Sequence, residues 1–83
     1  MATVQVGVYQ EVVEFMASRP TLQEMAEFRF SSGVEARINE LLAANKNRRL
    51  TDAEAAELDE FDKLEHMMRM IKLTALEKLA SEK

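Results

Sequence analysis

Ser32-Gly33-Val34-Glu35 and Thr51-Asp52-Ala53-Glu54 each stand just before an apolar-periodic run, and their reading decides the fold. In each tetrad the hydroxyl is placed to accept from the amide three residues on, while the glutamate reaches back to the cap's own amide, so donors that a helix start leaves unpaired are satisfied reciprocally. After the first signal, Val34, Ile38, Leu41 and Leu42 form an apolar stripe, with Glu35, Arg37, Asn39 and Glu40 mostly on the wet side. After the second, Phe61, Leu64, Met68, Ile71 and Ala75 are spaced three and four apart, and Leu58, Met67, Leu76 and Leu79 widen the stripe. The spacing predicts an all-α fold, a small helical bundle built on a long antiparallel hairpin of helices over 32–46 and 52–80. Asn45-Lys46-Asn47-Arg48-Arg49 is the reversal, where one asparagine is expected in the left-handed conformation that commonly ends a helix.

Upstream the pattern is weaker. Thr3 to Val8 alternates, with Val4, Val6 and Val8 on one side, which predicts a short strand or an extended arm over 1–8. From Tyr9 the period changes: Tyr9, Val12, Val13 and Met16 define a helix of about three turns that ends before Pro20, because a proline disfavours helical geometry in the residue preceding it. Thr21, with Glu24 three residues on, opens another helix carrying Leu22, Met25 and Ala26 to about Phe28. Residues 1–83 are thus read as a single helical domain. The hairpin arms are unequal, roughly 21 Å and 42 Å at 1.5 Å per residue, so the distal half of the longer helix needs cover from the first helix or from a second copy of the chain.

Composition sets limits. A chain of 83 residues hides only roughly 60% of the surface its unfolded form exposes, and a dimer would add to that. Without cysteine there is neither a disulfide nor a thiolate site, and one histidine leaves little for zinc to bind. No cofactor is expected. The absence of a secretory pattern and of an apolar run near 18 residues predicts a soluble, cytoplasmic protein. The net charge of −4 is unevenly spread: residues 51–65 carry −6, the reversal +3, and residues 66–83 +2. That balance argues against general nucleic-acid binding, which draws its affinity from many basic residues neutralising phosphates.

Asp52, Glu54, Glu57, Asp59, Glu60, Asp62 and Glu65 place seven carboxylates in fourteen residues. Such a run is either a surface for a basic partner or a solvated helix face favoured by the dipole at its N-terminus. Asp62 and His66 stand four apart and are expected to pair on the surface rather than hold a metal. Met67 and Met68 beside Ile71 make an adaptable apolar stretch, read as core or as interface. With no cysteine, no second histidine, no glycine-rich phosphate loop and no serine near a base at a recognisable spacing, an enzyme is not expected.

Val8 through Phe15, then Phe28, Ala36-Arg37-Ile38-Asn39-Glu40-Leu41-Leu42, Asn45, Leu50-Thr51, Glu54, Glu57-Leu58 and Leu64-Glu65-His66-Met67-Met68-Arg69 resemble a group of small uncharacterised bacterial proteins frequent in cyanobacteria. In that group the reversal reads Asn-x-x-Gly-x-Leu-Thr, and here Arg48 stands in place of the glycine. Members of the group occur beside toxin-like nucleases, so the resemblance implies an antitoxin-like or adaptor role. The functional expectation is a non-catalytic interaction module that meets a basic protein partner through Asp59, Glu60, Asp62, Met67, Met68 and Ile71. Two alternatives carry other expectations. A dimeric DNA-binding regulator would use Thr3 and Gln5 on paired N-terminal strands, and a structural module would simply self-associate as a homodimer.

Overall fold

The computed structural model describes residues 7–82. They form four helices: α1 over Val8–Ala17, α2 over Leu22–Ala26, α3 over Ser32–Asn47 and α4 over Asp52–Ser81. Thr3 and Gln5 of the expected strand lie outside the described residues. Val8, the last residue of the expected arm, is helical, because the chain leaves its extended geometry at Gly7, the N-cap of α1.

Two of the expected capping boxes form with both bonds. The Glu24 amide donates to the Thr21 hydroxyl at 3.1 Å and the Thr21 amide to the Glu24 carboxylate at 2.9 Å. Thr51 and Glu54 repeat these distances at the start of α4. The cap of α3 differs from expectation. Ser31, not Ser32, accepts from the Val34 amide, at 3.2 Å, and Glu35 does not reach back. Its place is taken by Glu11 of α1, which accepts from the Ser31 amide at 3.0 Å and from the Ser31 hydroxyl. The reciprocal carboxylate thus comes from another helix. Ser31→Ala removes the cap and the hydroxyl bond to Glu11 while keeping the amide bond, and should lower stability by about 0.5–2 kcal/mol in thermal denaturation, whereas Ser32→Ala should not.

Helix ends show two further departures. The reversal needs no left-handed asparagine: Asn47 stays helical and its side-chain amide donates to the Ala43 carbonyl at 3.0 Å, while Arg48 is fully extended, φ −162°, and its amide reaches the Ala44 carbonyl at 2.9 Å. Extended backbone suits any side chain, so arginine is tolerated where a glycine was expected. The left-handed residue among the described non-glycines is Arg19, φ 59°, just past the end of α1 and before Pro20. Glycine is the residue such a position favours. Arg19→Gly should raise stability by up to about 1 kcal/mol in urea denaturation, the cost of a Cβ there less the freedom glycine regains when unfolded.

The main cluster joins Val8 of α1 with Val34, Ile38 and Leu41 of α3, and Phe30, Leu58, Phe61 and Leu64 pack against it. Arg37 of α3 closes the same region, its Nε donating to Glu57 of α4 at 2.9 Å and Nη2 at 3.1 Å. Leu42, expected on the buried stripe, is 45% exposed, since the face in use is Val34, Ile38 and Leu41 and Leu42 lies about 100° beyond it. On α1 Val12 of the expected stripe is buried, joined by Val8, whereas Tyr9, Val13 and Met16 point outward. All four phenylalanines form a chain through the fold: Phe15 to Phe28 at 4.6 Å between ring centroids, Phe28 to Phe30 at 5.0 Å, and Phe30 to Phe61 at 5.5 Å. These tilted and edge-on pairs suit the ring quadrupoles.

The cover on α4 differs from expectation. The first helix supplies part of the cover as expected, but short α2 shares more of its length with α4, and α3 shares least. Even so the molecule is elongated, 50 × 31 × 18 Å, with a radius of gyration of 15.1 Å against about 12 Å for a compact chain of this length.

Candidate protein-interaction surface

The acidic half of α4 begins with carboxylates that serve the fold. The Arg48 guanidinium forks onto Glu54, Nη1 to Oε1 and Nη2 to Oε2, each at 2.9 Å. The same Glu54 accepts from Thr51. Arg48, and after it the Thr51 amide, hold the Glu54 carboxyl down at about 2, against a smaller upward push from desolvation. Arg48 is in turn held charged by Glu54. Because Glu54 titrates lower folded than unfolded, its contribution is complete above about pH 4.5 and is lost as pH falls from there through 2. Glu54→Gln should therefore flatten the fall in stability over that window, as read by urea midpoints at successive pH values.

Further along, Glu57 takes the fork of Arg37, which also donates to Glu40 at 2.6 Å. Glu57 first and Glu40 second push the Arg37 guanidinium above its ordinary range, and desolvation opposes them. Asp59 pairs with Lys63 at 3.1 Å and Glu65 with Arg69 at 2.7 Å. Four of the seven carboxylates are thus paired within the chain. Among the described residues Asp52, Glu60 and Asp62 join no ion pair, and all three are exposed. The expected contact between Asp62 and His66 does not form. His66 is exposed, and the neighbouring Glu65 turns to Arg69.

The six residues expected to meet a partner do not share one face. Glu60, Met67 and Ile71 fall within about 40° of one another around α4, while Asp59 and Asp62 project from another side. Asp59, Glu60 and Asp62 are exposed, Met67 is 40% exposed and Ile71 half-buried. Met68 is 2% exposed and belongs to the interior, which removes it from any surface this structure presents. The exposed apolar residues that sequence reasoning placed in the stripe or passed over are Tyr9, Val13 and Met16 on α1, Leu42 on α3, and Met70, Leu73 and Leu76 on α4. Their type gave no signal, since leucine and methionine serve core and interface alike.

Two grooves flank the long helix. One, of about 720 Å³, runs between the starts of α1, α3 and α4 and presents Glu11, Arg37, Glu57 and Glu60 over a floor of Val8, Val34 and Ile38. The other, of about 380 Å³, lies over Phe28, Phe30 and Phe61 and is edged by Arg29, Arg69, Lys72, Leu73 and Leu76. In the reversal Arg48 is committed to Glu54 and to the Arg49 carbonyl, leaving Lys46 and Arg49 as exposed cations. Among the described residues no three histidine, cysteine, aspartate or glutamate side chains gather in a metal-binding arrangement. No helix there is long and apolar enough to cross a membrane. No protein-family model matches the chain, and no curated protein or solved structure matches it either.

Proposed function

We propose that this chain is a small non-catalytic interaction module, antitoxin-like or adaptor, that docks a basic protein through the acidic half of α4. The observation that carries the reading is the set of exposed carboxylates Asp52, Glu60 and Asp62, which spend no charge on ion pairs among the described residues, with Glu60 on the same side of α4 as the exposed Met67. Charge of this kind steers association and sets specificity, and neighbouring apolar area supplies the contact. In this reading α3 and the first half of α4 are the arms of a hairpin, fastened by Arg37 and Arg48, whose task is to hold the acidic face rigid. Met68 and Ile71 act from beneath as its support. The resemblance to proteins found beside toxin-like nucleases points the same way.

The test is a tagged pull-down from the native host with the wild-type chain and a Glu60→Lys, Asp62→Lys variant, washed at low and then high salt. A basic nuclease-like protein is expected on the wild type at low salt, released at high salt and missing from the variant. Equal capture by both chains, or no basic protein, overturns the reading.

A further inference from the structure

The groove of about 720 Å³ between the starts of α1, α3 and α4 has two properties that the fold alone does not require. The first is glycine. The chain has two glycines, Gly7 and Gly33, and both line this groove. Neither takes a positive φ, and an added Cβ would meet nothing within 4 Å at Gly7 and only the Ser31 Oγ, at 3.8 Å, at Gly33. Backbone geometry and packing among the described residues therefore leave both positions open to larger side chains, and glycine within a helix such as α3 is less stable than alanine. What a side chain at either position would take up is the groove itself.

The second property is uncompensated charge. Four charged side chains line the groove. Arg37 and Glu57 are forked together. Glu11 is held by the uncharged Ser31, Glu60 is exposed, and neither joins an ion pair among the described residues. Two negative charges thus stand over a floor of Val8, Val34 and Ile38. An apolar floor under carboxylates matches a side chain that is aliphatic along its stem and cationic at its tip. The volume lies within the roughly 300–1,000 Å³ of ligand pockets, room for a stretch of chain rather than a bare ion.

We propose that the groove seats a lysine or arginine of a partner protein, its stem laid over Val8, Val34 and Ile38 and its charged end met by Glu11 and Glu60. The glycines keep the seat open for the backbone that carries it. The inference rests on the basic partner of the reading above and names where that partner is gripped. It leaves Asp52 and Asp62 to steer the approach and puts the anchor in the cleft that Glu60 shares with α1 and α3.

Heteronuclear NMR of the labelled chain tests this, because the two glycine amides report from the groove and resonate apart from most others. Titration with a short amidated peptide alternating alanine and lysine should shift Gly7 and Gly33 saturably. The same peptide with diaminobutyrate, whose ammonium rides on half the stem, should act far more weakly at a slightly acid pH that keeps both charged. Gly33→Met fills the groove where the fold has room, and should abolish the shift of Gly7 with helicity unchanged by circular dichroism. Glu60→Gln should weaken binding by up to about fivefold. Equal binding of the two peptides, or binding that Gly33→Met leaves intact, overturns the proposal. So do glycine signals that respond to no peptide, or that move only with the chain's own concentration, which makes the occupant a second copy. The pull-down separates this from the reading above. A basic protein captured equally by wild type and Gly33→Met overturns the groove alone, whereas no basic protein on the wild type beside a saturable peptide response overturns that reading and leaves the lysine site.

Discussion

Met68→Asp should unfold the chain at neutral pH. Met68 is 2% exposed, and a carboxylate there is desolvated at an effective cost of several kcal/mol, which the half-buried Lys72 one turn on repays only in part. The total stability of a chain of this length is only about 4–12 kcal/mol. The informative comparison is the adjacent Met67→Asp. Met67 is 40% exposed, and a charge at such a site should shift stability by no more than about 0.5 kcal/mol. Far-ultraviolet circular dichroism read alongside urea denaturation separates the two. A folded Met68→Asp would place that methionine on the surface and refute the packing described here.

Leu41→Ala should cost about 2–5 kcal/mol in urea denaturation, because the truncation opens a cavity that the surrounding side chains fill only partly. Leu41 is 1% exposed and stands where Val8, Val34 and Ile38 meet the partly buried Leu58, Phe61 and Leu64. Three helices lean on it. Its neighbour Leu42, 45% exposed, serves as the control, and Leu42→Ala should stay within about 0.5 kcal/mol of the wild type. Equal losses at the two positions would mean that the face of α3 is assigned wrongly.

The contrast between adjacent residues also shows what the sequence could disclose. Thr21 with Glu24 and Thr51 with Glu54 announce their helices because every atom of a capping box lies within four residues. Ser31 and Ser32 were indistinguishable by that logic, and Glu35 favoured the wrong one, because the carboxylate that decides the matter is Glu11, twenty residues away. The role of α2 was likewise hidden. Five residues are too few to show a periodic face, and its close approach to α4 is a tertiary fact. Within the acidic run the number of carboxylates was legible and their partners were not, since Glu57 is neutralised from α3 by Arg37. Met67 and Met68 are the same residue type at successive positions, and only the direction of α4's inner face tells them apart.

Glu11 and Ser31 carry a further consequence for the order of assembly. A capping box contained in one helix forms as soon as the first turn does, so it promotes nucleation locally. At α3 the reciprocal half is held by α1, so the first turn of α3 becomes secure only once the chain has closed a loop and docked the earlier helix. Secondary structure there answers to tertiary structure. The start of α3 is a checkpoint that couples two otherwise self-sufficient helices into one cooperative unit, and a chain deprived of its first helix would fray at a site far along the sequence from the damage.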